Sequence, residues 1–217
     1  MRIRTSPVLF VAGAISIGSI LAACGSSGDA ESTTLAPMTD APSSTVAETS
    51  TSTSVYAGPP TLGPNDTLPT PVPPPKEDGS RDEETILGSI SIPAIDVEQP
   101  LLQGIRLATF DKGVGHWPGT ALPGQVGNVV LGGHRTSGIR PFRDVDKLKK
   151  GDEIIVTTDE GTFVYIVDGT TIVDPKTGMW IIEQTTDATM TLFACHPPGS
   201  VRQRFIVFAD YDRKLDV

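Results

Sequence analysis

Short apolar runs separated by turn residues fill the chain from about residue 84 to its end. In Ile86–Ile92 (ILGSISI) apolar residues alternate with small or polar ones, which is the pattern of a half-buried strand. Further runs are rich in β-branched and aromatic residues, as strands are, namely NVVLGGH, EIIVTT, TFVYIVDGTTIV and RFIVFADY. The pattern predicts a mainly β domain over residues 84–217, a closed or nearly closed barrel of about eight strands.

One segment of this domain, Pro141–Lys150 (PFRDVDKLKK), has the spacing of a helix. It begins with proline, which suits the first helical position, and a glycine follows its end as a stop. Phe142, Val145 and Leu148 fall on one face. The barrel is therefore expected to carry one or two short helices.

Residues 1–24 have a different pattern (MRIRTSPVLFVAGAISIGSILAAC). Two arginines, an apolar stretch and small residues before Cys24 form the layout of an export signal. The final Leu-Ala-Ala-Cys resembles the lipobox of bacterial lipoproteins, in which the signal is cut before a cysteine whose sulfur carries a diacylglycerol. The alternative is an uncleaved signal anchor, because the apolar stretch is near the lower length limit of a spanning helix. Both interpretations place the protein at the extracytoplasmic face of the cell membrane.

Residues 25–83 lie between this signal and the β domain, and they are rich in Ser, Thr, Pro, Gly and acidic residues. They show no periodic apolar face, so they cannot bury enough surface to offset the entropy lost on ordering. We predict a disordered stalk, stiffened toward polyproline II near Pro69–Pro75.

The charge and the cysteine content of the chain narrow the range of partners and sites that it can have. The formal net charge is −9, which argues against a nucleic-acid partner because such proteins cluster Lys and Arg against phosphate. Cys24 and Cys195 are the two cysteines of the chain, so the β domain holds a single thiol without a disulfide partner. The three histidines lack the paired spacing of metal ligands, and we expect neither a metal nor a cofactor.

Cys195 is the candidate nucleophile. It ends the strand-like run MTLFA, and the two prolines after His196 cannot continue a strand, so the thiol should lie at a strand end, where it can face a cleft. A lone cysteine is more often a small buried packing residue. Nucleophilic chemistry requires a neighbouring base or cation, because a free thiol is mostly protonated near neutral pH.

Candidate partners for the thiol lie in two other runs. His134 ends the apolar run NVVLGGH after two glycines, which permit close backbone approach. His196 is adjacent to Cys195 and should point to the opposite face of an extended segment, which argues against it. Arg202 and Arg204 enter the last strand-like run, and either could stabilise an oxyanion. Spacing alone does not choose between them.

Taken together, these motifs resemble the sortase family, the Cys-dependent transpeptidases of Gram-positive bacterial surfaces. TLFAC, which ends at Cys195, resembles the T-L-x-T-C signature, and NVVLGGHR resembles the strand that carries the family histidine. Arg204 comes nine residues after the cysteine, where many sortases keep their active-site arginine. The resemblance covers Ile86–Tyr211 and implies a closed sortase-type barrel in which His134, Cys195 and Arg204 are catalytic.

The segment GVGHWPGTALPGQVGN is most similar to class E sortases of actinobacteria. In that class the position of Trp117 is typically a tyrosine lining the sorting-signal pocket, whereas an ordinary rim aromatic packed on Pro118 is the alternative. Ala194 stands in place of the signature threonine beside the nucleophile, so the resemblance implies a substrate contact there too. It also implies cleavage of the Thr–Gly bond of an LPxTG/LAxTG-like signal on surface proteins, with transfer to an amine of a cell-wall precursor or a pilin lysine.

Two other functions fit parts of the pattern. One is another Cys peptidase acting on the cell wall, although such enzymes generally place the nucleophile before the histidine or in an S-H-G-C motif that is missing from this sequence. The other is a non-catalytic surface lipoprotein that binds peptides in a barrel groove. The intact histidine, cysteine and arginine favour the enzyme.

Overall fold

The computed structural model describes residues 58–77, 79, 83 and 85–216. The predicted signal segment, Cys24 and the first part of the predicted stalk lie outside these residues. Within the described part of the chain, no helix has the length and hydropathy needed to cross a membrane.

Eight strands close into a barrel in the order β1-β2-β3-β4-β7-β8-β6-β5. Their bounds are β1 (Ile86–Ile92), β2 (Val97–Gln103), β3 (Val114–His116), β4 (Gly127–Gly132), β5 (Glu153–Thr158), β6 (Gly161–Val173), β7 (Ala188–His196) and β8 (Gln203–Leu215). Pairing of β1 with β5 completes the closure. The β2–β3 and β4–β7 pairs are parallel, and the others are antiparallel. The predicted mainly β barrel of about eight strands is confirmed.

The core fills the inside of the barrel. Strand β4 is buried at every position, including the polar Asn128, and it lies between β3 and β7. Alternate residues of the neighbouring strands point inward, as the two-residue period of a strand requires. From β4, β7 and β8 these include Val129, Leu131, Met190, Leu192, Ala194, Phe205 and Val207. The inward alternation leaves the intervening residues of β7, including Cys195, for the outer face.

The helix predicted at Pro141–Lys150 is wrong. Only Val145–Lys147 form a 3-10 turn there, and Arg140 just before the proline has a left-handed φ of 52°. The apolar spacing instead belongs to a loop that packs Phe142, Val145 and Leu148 on the barrel, where they are at most 5% exposed. The one α-helix in the described residues is α1 (Leu107–Phe110), which is too short to leave a periodic signal.

Residues 58–77 also differ from the prediction of a disordered stalk, because they lie against the barrel. Val72 donates its backbone N–H to the carbonyl of Pro118 at 2.9 Å, and its own carbonyl accepts from Trp117 Nε1 at 2.8 Å. The segment is held largely through backbone groups that pair with the barrel, so it does not need an apolar face of its own. Amino-acid composition therefore does not predict that this segment is ordered.

His116, the last residue of β3, is a buried histidine held by three polar groups. Its side chain is 1% exposed, with Nε2 2.9 Å from the Ala121 carbonyl and Nδ1 3.0 Å from Gln103 Oε1. The Thr120 hydroxyl lies 3.0 Å from Nε2. Burial lowers the pKa of His116 below its ordinary 6.5, and the hydrogen bond to Ala121 only partly opposes that shift.

This lowered pKa predicts a loss of stability in mild acid. As the pH falls below about 6.5, the unfolded chain takes up a proton at His116 that the folded chain resists, so the free energy of unfolding decreases. We expect urea denaturation between about pH 7 and pH 5 to show a smaller decrease for His116→Gln than for the wild type. Other groups titrate in both proteins and cancel in the difference. Equal pH slopes would contradict a lowered pKa at this site.

Candidate active site

Strands β4 and β7 run parallel and bring His134 and Cys195 to the same end of the barrel. The register pairs Gly132 with Phe193, and each candidate lies two residues further along its own segment. The backbone N–H of Gly133 donates to the Phe193 carbonyl at 3.3 Å, which continues the contact beyond the end of β4. Parallel pairing thus places the two predicted residues side by side at the strand ends.

The two glycines before His134 make this packing possible. A Cβ on Gly132 would lie 2.3 Å from the ring of Phe193, and one on Gly133 would lie 2.9 Å from the ring of Phe142. Aromatic rings therefore occupy the space of the missing side chains. The two glycines thus permit the close approach to the backbone that the sequence predicts, here by the rings of Phe193 and Phe142.

The imidazole of His134 is fixed by the C-terminal end of α1. Its ring makes an edge contact with Phe110 at a centroid distance of 5.7 Å, and Nε2 lies 3.3 Å from Asp111 Oδ1. The side chain of Asp111 is 59% exposed, so the interaction orients the ring more than it contributes to stability. Sequence reasoning missed Asp111, because nothing in the local pattern shows that the four-residue helix packs beside His134.

Cys195 and Arg204 form a cross-strand pair. The antiparallel register of β7 and β8 sets them directly opposite one another, and side chains of such a pair project from the same face of the sheet. The Arg204 Nη1 donates to the carbonyls of Val201 and Gln203 at 2.8 and 3.0 Å. A guanidinium has five N–H donors, so these bonds fix the group and leave donors for a ligand.

Arg202 occupies a different place. It lies in the bend before β8 and borders a neighbouring cavity with Pro197 and Gln203, whereas Arg204 lines the same pocket as Cys195. Spacing in the sequence did not choose between the two arginines, but in the structure Arg202 precedes β8 and Arg204 lies within it. The structure therefore places Arg204, the arginine preferred through the family resemblance, beside the thiol.

A pocket of about 780 Å³ opens over these residues. Its walls are mostly apolar with a few convergent polar groups, which is the usual composition of a ligand site. Residues from several separate parts of the chain line it, among them Pro74, Pro75, Phe110, Asp111, Trp117, His134, Ile181, Phe193, Cys195, Val201 and Arg204. Pro74 and Pro75 belong to the segment 58–77, so this segment forms one wall of the pocket.

Trp117 and Ala194, the two predicted substrate-binding residues, differ in their surroundings. Trp117 borders the pocket, is 6% exposed, and makes an edge contact with Phe193 at 5.8 Å. Its indole N–H is already bonded to Val72. Ala194 also borders the pocket, but it is 1% exposed and its methyl group belongs to the interior cluster of the barrel. Its burial favours a packing role over a side-chain contact with substrate.

The thiol of Cys195 is free and half-buried. Across the residues that the structure describes, no group of three or more His, Cys, Asp or Glu side chains is arranged to hold a metal ion. The pocket therefore offers a thiol, an imidazole and a guanidinium as its reactive groups, together with a carboxylate beside the imidazole.

The family model of the sortase domain matches residues 90–212, and the chain belongs to the sortase family. Sortase D of Bacillus subtilis is 32% identical over 124 residues, which cover 56% of this chain and 61% of that protein. Sortase SrtE1 of Streptomyces coelicolor is 31% identical over 134 residues, 55% of this chain and 38% of the relative. The chain thus spans about three fifths of the length of Sortase D and less of SrtE1.

Solved sortase structures share the fold. Sortase C of Streptococcus pneumoniae superposes with a TM-score of 0.56 at 28% identity, covering 61% of this chain and 69% of that one. A lid mutant of Sortase A from Corynebacterium diphtheriae gives 0.54 at 30% identity, with 63% and 74% covered. The resemblance to the sortase family is confirmed. Its relatives include sortases A and D as well as SrtE1 and SrtE2, and the assignment to class E stays a prediction.

Proposed function

We propose that the protein is a sortase transpeptidase that cleaves the Thr–Gly bond of an LPxTG- or LAxTG-like sorting signal. The observation that carries this proposal is that His134, Cys195 and Arg204, which come from separate segments of the chain, line one pocket. A packing cysteine would not need a histidine and an arginine beside it. The mostly apolar walls suit the side chains of an extended peptide.

The first half-reaction forms a thioester. The thiolate of Cys195 attacks the threonine carbonyl carbon, and the carbonyl electrons move to oxygen. Arg204 stabilises the resulting oxyanion from the opposite strand. Collapse of this intermediate breaks the C–N bond to glycine, and His134 donates a proton to the leaving amine. The acyl group then remains on the Cys195 sulfur.

The second half-reaction transfers the acyl group to an amine. His134 accepts a proton from the incoming amine as its nitrogen attacks the thioester carbonyl. The C–S bond breaks and a new amide forms, which regenerates the Cys195 thiolate and the protonated His134 that began the cycle. The sortase family implies that this amine belongs to a cell-wall precursor or a pilin lysine.

An assay with peptides tests the proposal. We expect the protein to convert a peptide carrying LAxTG or LPxTG, in the presence of an amine such as triglycine or a lysine peptide, into an acyl–amine product seen by mass spectrometry. Prior alkylation of the thiol should abolish the product, and prior addition of the peptide should slow alkylation. A non-catalytic lipoprotein would bind the peptide without product, and a cell-wall peptidase would cleave peptidoglycan stem peptides instead. Either result would contradict the proposal.

We also propose that the chain is tethered at the extracytoplasmic face of the cell membrane through a lipid on Cys24. The lipobox-like LAAC sequence and the stretch of residues between Cys24 and the barrel support this location. Substrates that are themselves exported would then meet the enzyme at the membrane surface.

Cys24→Ser should remove the lipid. We expect cells fed a labelled fatty acid to label the wild-type protein but not this variant, because serine has no thiol to form the thioether. The measurement is label in the immunoprecipitated protein, with Cys195→Ala as the matched cysteine control that stays labelled. Label retained by Cys24→Ser would contradict the lipobox interpretation, and an unlabelled wild type would favour the signal anchor.

A further inference from the structure

Each of the three candidate catalytic residues is followed in the chain by a member of one side-chain cluster. Arg135 follows His134, His196 follows Cys195 and Phe205 follows Arg204. We call Arg135, His196 and Phe205, together with Asp146, the Arg135 cluster. The three segments that carry the reactive groups thus meet a second time, through the residues next to those groups.

The guanidinium of Arg135 holds this cluster together. Its Nη1 donates to His196 Nδ1 at 2.9 Å, and its Nη2 lies 2.5 Å from Asp146 Oδ2. Its Nε donates to the Arg143 carbonyl at 3.3 Å, and the group lies over the ring of Phe205 at 5.9 Å. Every nitrogen of the guanidinium therefore has a partner. The planar group fixes the directions of these contacts in a way that a lysine could not.

The burial of the Arg135 side chain indicates that its contacts determine its position. The side chain of Arg135 is 2% exposed, although it carries a charge. A buried charge is costly when a partner is removed, so the position of the guanidinium is strongly determined by its acceptors. Arg135 borders the pocket, but its side chain is almost fully covered and all three guanidinium nitrogens have partners, so it acts mainly through its neighbours.

His196 has a defined role in this arrangement. Because a guanidinium has only donors, Nδ1 of His196 must be the acceptor and carries no proton in this contact. The ring is also tilted against Phe205 at a centroid distance of 5.8 Å. His196 therefore links the end of β7, one residue after Cys195, both to Arg135 and to the start of β8.

We propose that Arg135 is a positioning residue that sets His134, Cys195 and Arg204 at their working separation, with His196 as its link to the cysteine. This inference rests on the proposed function, in which those three residues are the reactive groups. Displacement of a reacting group by about 1 Å can cost about 100-fold in rate, so a link of this kind should affect catalysis more than peptide binding.

A pair of substitutions at His196 tests the proposal. His196→Leu keeps the bulk of the ring but removes the acceptor, whereas His196→Asn retains a side-chain oxygen that can accept from Arg135. We expect His196→Leu to lower kcat by about 10- to 100-fold, with KM for the sorting-signal peptide changed less than about threefold. His196→Asn should recover most of that loss. Rescue by the acceptor is a result that a purely structural role in the barrel would not give.

Two further variants complete the design. Arg135→Lys keeps the charge without the planar fork and should behave like His196→Leu. Arg143→Ala is the matched control, because it removes a neighbouring guanidinium that is 67% exposed and leaves the backbone carbonyl in place. It should keep wild-type kcat. Thermal denaturation of each variant shows whether it is folded, and the His196 pair decides the question if Arg135→Lys does not fold.

The possible failures are distinguishable. If the wild type forms no Cys195-dependent product, the proposed function is wrong and the positioning role falls with it. If the wild type is active but folded His196→Leu keeps its kcat, or His196→Asn is no better than His196→Leu, the positioning role alone is overturned.

Discussion

Cys195→Ala is expected to abolish formation of the thioacyl intermediate while the barrel stays folded. Removal of a covalent nucleophile can lower turnover on the order of 10⁶-fold, so the product should fall to the detection limit. Alanine is small and apolar, and the position is a half-buried strand end with a free thiol, so little packing is lost. Product formation from a sorting-signal peptide and an amine is the measurement.

Two controls make this result specific. Thermal denaturation should show a similar transition for Cys195→Ala and the wild type, which separates loss of chemistry from loss of fold. Cys24→Ser should keep the activity, because that cysteine lies in the predicted signal segment and is not one of the proposed reactive residues that line the pocket. Persistent transpeptidation by cleanly purified Cys195→Ala would contradict the mechanism.

Arg204→Ala is expected to reduce kcat by about 100- to 1000-fold, the usual cost of losing one oxyanion donor. The reason is its place in the register, directly opposite Cys195, with the guanidinium anchored by the carbonyls of Val201 and Gln203. Arg204→Lys should also be impaired, because an ammonium lacks the planar fork. The measurement is kcat with one sorting-signal peptide.

Arg202→Ala is the matched comparison. The side chain of Arg202 lies outside β8, is exposed and borders another cavity, so it can contribute only long-range charge. We expect a loss of less than about tenfold. If Arg202→Ala were the more damaged variant, the oxyanion donor would have to be reassigned.

The strands could be predicted because their pattern is local. The alternation in Ile86–Ile92 and the apolar residues of β4 indicate which side chains are buried. Their spacing fits a strand. The prediction of a helix at Pro141–Lys150 was wrong because its local pattern fits more than one structure. Three apolar side chains at helical spacing can also be buried by a loop, and only the shape of the barrel surface decides which.

The reactive residues could be predicted in part. Strand ends and glycines in the sequence indicate His134 and Cys195 without the pairing of β4 with β7, whereas the choice of Arg204 over Arg202 needs the family resemblance or the register. Asp111 and Arg135 could not have been found as partners. Their contacts join segments far apart in the sequence, and no spacing rule encodes such packing.

The segment 58–77 shows a further limit of prediction from amino-acid composition. Its Pro-rich sequence has no core-forming face. Even so, Pro74 and Pro75 line the pocket, and the backbone of Val72 forms hydrogen bonds with Pro118 and Trp117. Order here comes from backbone hydrogen bonds to the barrel, which depend on carbonyl and N–H groups that every residue type shares.

The mass of the protein during turnover is the most direct measurement of the mechanism. With a sorting-signal peptide and no added amine, the wild-type protein should gain the mass of the peptide up to its threonine. Proteolysis should locate this acyl group on the fragment that carries Cys195, and addition of an amine should remove it and yield the new amide. Product formation without such an adduct, or an adduct on another residue, would contradict covalent catalysis by Cys195.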